Sequence, residues 1–267
     1  MARSNFPAVM DEVFRHEGGL SMIRSDPGNW TGGRVGVGEL RGTNFGIASH
    51  AHPHVDIRNL TKEQAREIYR RNYWNPILGD DLPAGIDLVT MDPAVNSGVS
   101  RGARWLQQAL GDVVVDGQMG PQTLKATKSK APVPVIQRAC KARMGFLRGL
   151  RTWDTFGRGW SRRVASVEAV SVRMSVAATG TSARPVLAKA GEDALAKADR
   201  EGKAAGGVAV TGAGGGSGAT TLADLPTWGI IGFGVLVVLV VVILLGQRRH
   251  DQDRAYAYDE QLMEAGA

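Results

Sequence analysis

From Trp228 to Gly246 the chain reads WGIIGFGVLVVLVVVILLG, 19 residues without a charge. A segment that is apolar on every side is not the half-buried helix of an ordinary core, and its length matches what an α-helix needs to cross a bilayer. Trp228 at one edge, and Arg248 with Arg249 at the other, are residue types that settle at the membrane–water interface. The run predicts a single transmembrane helix over 227–246, partnered by the lipid bilayer through 228–246, and then a polar tail over 247–267. The 20 residues before Trp228 hold no Lys or Arg, whereas Arg248, Arg249 and Arg254 follow the run. That asymmetry places the tail in the cytoplasm and the N-terminal part outside. The N-terminus, MARSNFPAVMDEVF, has no continuous apolar stretch and so is no secretory signal, which leaves the export route open.

Ahead of the run the periodicity is helical and the loops are rich in glycine. Residues 1–100 read as one compact domain. Ser4 can cap a first helix that has Pro7 in its opening turn. Asp26 to Gly46 reads as loops or a small hairpin. Thr61 and Gln64 form a capping box for a second helix reaching Tyr73, and Leu60 can staple onto Ala65. A third helix spans about Ala84 to Asn96. In residues 101–165, Trp105, Leu106, Ala109 and Leu110 mark one helix face ended by Gly111, Pro121 opens another helix, and Val135 to Leu150 carries a third apolar stripe. Residues 166–226 read as a less packed helical stalk that ends in a Gly-rich flexible linker, GGVAVTGAGGGSG.

The formal charge of +6 is unevenly spread: residues 101–165 hold 13 Lys/Arg against 3 Asp/Glu, and both flanking regions are slightly acidic. Such a patch suits an anionic polymer, whether cell wall, acidic lipid or nucleic acid, or else a solvated basic helix surface. The segment has no recognisable nucleic-acid reading motif, so no nucleic acid is expected. The one cysteine, Cys140, lies among Ile136, Ala139 and Met144 and reads as a small buried hydrophobe.

Glu17 is the residue out of place in the first helix. Val9, Met10, Val13 and Phe14 follow helical spacing, and Glu17 is the next position of that apolar stripe, directly before Gly18-Gly19. Partial burial and the negative end of the helix dipole both disfavour a carboxylate's charged form. A carboxylic acid that keeps its proton is what the cleavage of a glycosidic bond needs, to protonate the departing oxygen. Asp26 follows nine residues later, across a loop that can fold a second carboxylate back towards the first. It could activate water, stabilise positive charge on the sugar or hold the loop, and an Asx turn with Pro27-Gly28 is the competing reading.

These words in order, His16-Glu17-Gly18-Gly19, Asp26-Pro27-Gly28, Thr43-Asn44-Phe45-Gly46-Ile47, Leu60 to Ala65, Tyr73-Trp74 and Asp92 to Gly98, resemble the glycoside hydrolase family 108 muramidases. Those are phage- and prophage-type endolysins that cut peptidoglycan between N-acetylmuramic acid and N-acetylglucosamine. Trp105 to Gly111, Asp116-Gly117, Gly120 to Leu124, Trp160 and Arg163 resemble the small helical peptidoglycan-binding domain that follows in the family. The resemblance covers about residues 6–165. It implies a mainly α protein: a lysozyme-like catalytic domain over 1–100, a peptidoglycan-binding domain over 101–165, and then the stalk, span and tail.

Carried over, Glu17 matches the family's proton donor, and Asp26 and Thr43 match the polar positions that follow it. Here WTGGRVGVGELRG intervenes between the Asp-Pro-Gly turn and the Thr-aromatic-Gly-Ile word, so Thr31 competes with Thr43, and Glu39 is the rival second carboxylate. Asn96 and Asp92, at the end of the third helix, can line the cleft and bind an acetamido group, or serve as a cap and core hydrogen bonds. Tyr73, Trp74 and Trp105 can stack on sugar rings or pack in the core. No cofactor is implied. His50, His52 and His54 lack a fourth ligand at a recognisable spacing, and Leu20 stands where a zinc helix would need its second histidine, so no metal is expected.

A lytic transglycosylase, which can also run on one glutamic acid, and a non-enzymatic membrane tether that binds peptidoglycan are the competing functions. The location implied is the bacterial inner membrane, crossed once, with the catalytic domain acting on the periplasmic side. Release through a holin-like lysis partner is the other route.

Overall fold

The computed structural model describes residues 5–213 and 227–265, with the side chains of 209–213 and 227–234 outside the described part. The chain forms two compact units, Met1–Gly145 and Phe146–Ala267.

In the first unit, α1 (Phe6–His16) buries Phe6, Val9, Met10 and Val13, the stripe its spacing predicts. Ser4 lies outside the described residues. Asn5 is the N-cap, and its side chain donates instead to Asp87 at 2.9 Å. The helix stops at His16, because Glu17 already has extended backbone (φ −93°, ψ 141°). The carboxylate buried within α1 is Glu12, which meets His16 Nε2 at 3.4 Å and Arg15 Nε at 3.6 Å.

A hairpin follows, β1 (Thr43–Asn44) antiparallel to β2 (Ile47–Ala48). Its two-residue turn, Phe45-Gly46, has φ of 49° and 74°. Two successive positive φ values twist a tight hairpin to match its strands, and glycine takes the second without cost.

α2 (Lys62–Tyr69) opens on the predicted capping box: Gln64 N donates to Thr61 Oγ1 at 3.2 Å and Thr61 N to Gln64 Oε1 at 2.9 Å. The helix then widens into a π-turn over Arg70–Trp74. This extra residue in the turn accompanies a split between neighbours: Trp74 is fully buried, edge-on to Phe6, while Tyr73 stays half-buried.

α3 (Ile86–Ser97) is buried from Ile86 through Ala94, the central helix of the unit. Gly98 joins it to α4 (Val99–Leu110), and a Cβ on Gly102 would stand 2.8 Å from the Thr90 carbonyl oxygen. α5 (Pro121–Ser129) and α6 (Pro132–Arg148) complete the layer. Gly98 is therefore a one-residue joint between two helices that share a core, and the chain's compact division falls at Gly145–Phe146.

The second unit is a three-helix bundle of α7 (Trp153–Ala177), α8 (Arg184–Ala213) and α9 (Thr227–Glu264). Val164, Val167 and Val170 from α7 and Leu187, Ala190, Ala194 and Ala198 from α8 are buried, together with Ala255, Ala257 and Tyr258 from α9. The expected loose stalk and polar tail are thus packed helices. Their polar residues pair with one another, Arg254 with Glu168 at 2.6 Å and Lys197 with Asp251 at 2.7 Å, which sequence polarity alone reads as solvated surface. The first part of the expected linker, 206–213, continues α8, and 214–218 lies outside the described residues.

Among the described residues no helix is long and apolar enough to cross a membrane. The predicted span includes 228–234, whose side chains are outside the described part. Its backbone belongs to α9 throughout, a 38-residue helix whose C-terminal half is bundle core.

Candidate active site

Four elements converge on Glu17. The residue is half-buried just beyond α1. Gly46, at the hairpin tip, lies beneath its carboxylate: a Cβ there would sit 2.7 Å from Glu17 Oε2 and 2.5 Å from the Tyr69 hydroxyl. Both oxygens therefore border one point that only a glycine leaves empty. Tyr69 donates to the Phe45 carbonyl at 2.8 Å and so pins the positive-φ tip in place. Phe14 packs against Phe45 and Tyr69, both with centroids 5.5 Å away, which ties α1, hairpin and α2 together. Tyr73, ring to ring with Tyr69 at 5.4 Å, completes the surround. Burial first, and then the Glu17 charge, push its phenol above the usual value of 10.0.

Thr43 stands two residues before the tip. Its hydroxyl donates to Asn29 Oδ1 at 2.7 Å, and its backbone exchanges two bonds with Ser21. Asn29, fully buried, is the hub: its amide donates to the Ile23 carbonyl at 3.0 Å, and its own carbonyl accepts from Arg41 N and Gly42 N. The loop after Glu17 is thereby sewn to β1. Thr31 instead accepts from Glu39 N at 2.9 Å and, beside the Trp30–Leu40 bridge, closes the inserted loop on itself. Glu39 is exposed and paired with Arg41 at 2.6 Å. Asp26 is exposed, and its Oδ1 accepts from Gly28 N at 2.8 Å, so the Asx-type cap of the Pro27–Asn29 turn is formed.

Three of the residues predicted to bind sugar are placed elsewhere. Asp92 is fully buried and paired with the nearly buried Arg143 at 2.5 Å, an ion pair between α3 and α6. Trp74 is also fully buried, its indole N–H donating to Asp80 at 3.0 Å, and Trp105 belongs to the α4 core face. Flat rings in helical sequences fill cores before they line clefts. Asn96 is exposed and accepts from Ser97 at 3.1 Å.

Part of the basic middle segment is structural. Arg104 donates to the Val115 and Asp116 carbonyls, Arg138 to the Ala109 carbonyl, and Lys130 pairs with Asp112 at 2.9 Å. Gln107 clamps the Asp116-Gly117 loop, donating to Asp116 Oδ1 at 2.8 Å and accepting from Gly117 N at 2.9 Å. Sequence reasoning missed Asn29 and Tyr69, whose roles depend on contacts 14 and 24 residues away. The Phe45-Gly46 dipeptide between Thr43-Asn44 and Ile47-Ala48 is the local signal for that tip.

The family described as Glycosyl hydrolase 108 matches residues 10–98, and that described as Predicted Peptidoglycan domain matches residues 101–165. Among solved structures, SagA of Brucella abortus is similar at 38% identity and a TM-score of 0.54, covering 65% of this chain and 97% of that one. No curated protein matches the chain.

Proposed function

The chain belongs to the glycosyl hydrolase 108 family, and from that premise we propose that it cuts the glycan strand by general-acid catalysis from Glu17. It is a peptidoglycan hydrolase, with a glycoside hydrolase part followed by a peptidoglycan domain. The observation that carries the assignment to Glu17 is the convergence of its carboxyl, the Gly46 backbone and the Tyr69 hydroxyl at one point. Gly46 lets the hairpin tip come closer to the carboxyl and the phenol than any side chain would allow.

In the proposed reaction Glu17 gives its proton to the oxygen that links N-acetylmuramic acid to N-acetylglucosamine. The bond from the anomeric carbon to that oxygen breaks, and water adds to the carbon and gives up a proton, which restores the acid. Thr43, held by Asn29, and Asp26, on the same sewn loop, are the polar groups assigned to water and to the developing positive charge. Tyr73 and Asn96 are the remaining candidates for sugar contact.

Glu17→Gln keeps the shape and removes the proton, so wall clearing should fall by about 10²–10⁴-fold with unchanged melting. Clearing at the parent rate by the purified variant would end the assignment and leave a peptidoglycan-binding tether. Mass spectrometry of the digest separates the two chemistries: reducing ends mark hydrolysis, 1,6-anhydro ends a transglycosylase.

For location we propose the bacterial inner membrane, held through the apolar half of α9, with the catalytic part acting on the periplasmic side. The support is the uncharged run Trp228–Gly246 together with a substrate that lies outside the membrane. Protease added to intact spheroplasts should digest the N-terminal part. Full protection would leave a cytoplasmic enzyme released by a holin-like partner.

A further inference from the structure

The charged residues of the bundle that pair with α9 lie towards one end of that helix. α7 runs parallel to α9 and meets it in rising order: Ser161 with His250 at 3.0 Å, Glu168 with Arg254 at 2.6 Å and Tyr258 at 2.8 Å, Arg173 with Glu264 at 3.6 Å. α8 runs the other way, with Gly191 beside Tyr258, Lys197 on Asp251 and Gly202 against Arg248. The polar seam therefore begins at Arg248. On the other side of Gly246, Val235, Leu236, Val238, Leu239, Val242 and Ile243 are each 48–64% exposed. At 3.6 residues per turn they cover about half the helix circumference, too wide for the single stripe that one partner helix would cover. α8, heading towards that same end, carries no charge from Ala204 to its last residue, Ala213.

A second feature marks the level of Gly246. A groove of about 540 Å³ between α7 and α9 is lined there by Trp153, Arg158, Arg162, Gly246 and Arg249, together with Asp154 and with Asp253, which lies 4.0 Å from Arg162. The opening turns of α7 hold Trp153, Phe156 and Trp160 in ring contact at 5.7–6.2 Å, with Phe156 53% exposed. Aromatic rings and arginines at the edge of an apolar segment are the composition of a membrane–water interface.

We propose that the apolar end of the α8–α9 pair enters a bilayer as a hairpin from one side, with Arg158, Arg162, Arg249 and the aromatic trio seated at anionic lipid headgroups. The inference rests on the bilayer reading above and changes its topology. A single crossing by 228–246 puts the end of α9 opposite α7 and pulls Arg254 and Tyr258 away from Glu168, a carboxylate whose side chain is 2% exposed. A hairpin keeps that cluster whole. No apolar run of spanning length separates Gly145 from α7, so the catalytic unit stays on the same side as the C-terminal end of α9.

The test uses the full chain in native membranes, with Cys140→Ala and a single reporter cysteine at Glu63 or at Tyr256, the latter 73% exposed. An impermeant maleimide should label both sites or neither in right-side-out vesicles, and N- and C-terminal epitope tags should be digested alike without any substitution. Opposite accessibility overturns the hairpin and leaves a single-pass tether. Failure of the full-length protein to float with phosphatidylglycerol vesicles overturns the bilayer reading as well, and a stable dimer without lipid affinity would make a second copy the occupant. Arg158→Gln, Arg162→Gln and Arg249→Gln together should weaken binding to phosphatidylglycerol vesicles by about a hundredfold, and hardly affect phosphatidylcholine. Unchanged binding removes the headgroup collar.

Discussion

A missing side chain shapes the point where Glu17 and Tyr69 meet. Gly46→Ala would drive a methyl into Glu17 Oε2 and the Tyr69 hydroxyl, at a φ of 74° that alanine avoids. We expect at least about a tenfold loss of wall-clearing activity, with a folding penalty of more than about 1 kcal/mol, read by clearing assays beside thermal melts. Asp26 needs a finer substitution, because it already caps the Pro27–Asn29 turn. Asn keeps the acceptor oxygen and loses the charge. Asp26→Asn should therefore melt like the parent and clear walls at least about tenfold more slowly, in the range of lost general acid–base help. Full activity would reduce Asp26 to its cap.

Elements are held together here by buried ion pairs. Asp92 on α3 and Arg143 on α6 meet where neither has water to turn to. Arg143→Met leaves a carboxylate stranded in the core, which costs about 3–5 kcal/mol, whereas removing both charges with Asp92→Leu restores most of the loss. A double-mutant cycle by urea unfolding measures it. The same logic explains why α4 and α5 keep their spacing: Gln107 and Arg104 satisfy the loop between them from one helix face. The π-turn after α2 has a comparable role, setting Tyr73 near Glu17 while Trp74 fills the core.

At the scale of the molecule, the two units respond to pH in opposite directions. In the first, burial pushes Asp87 up from 3.8 to about 6, against the pull of its bonds from Asn5, Leu88 and Gly85. The native state then holds a proton that the unfolded chain has released, so the stability that Asp87 contributes is lost as pH rises from about 4 to about 6, while His52, held low by burial and by His50 and Arg71, acts in the opposite sense. In the second, burial and the nearby Arg148 and Arg254 push His250 down from 6.5 to about 3. The unfolded chain takes up the proton first, so that unit loses about 1.4 kcal/mol for each pH step below about 6.5, until His250 itself titrates. Calorimetry of the full chain between pH 4 and 7 should show one transition falling and the other rising. His250→Gln should flatten the second alone.

Much was legible along the chain because it is local. The α1 stripe, the Thr61–Gln64 box, the α4 face with Gly111 and the Glu17-Gly-Gly word each concern residues within a few positions of one another, where helical period and capping chemistry decide the outcome. The family's ordered words carried the family assignment the same way. What the sequence could not decide was which polar residue would be buried. Asp92 reads equally as cleft or core, and Arg143 and Glu168 as parts of solvated helices; all three are core because each found an opposite charge 51 or 86 residues away. Likewise the end of α9 reads as a solvated tail until α7 and α8 cover it. Burial of a charge is a property of its partners, and partners distant in the chain are supplied by tertiary packing.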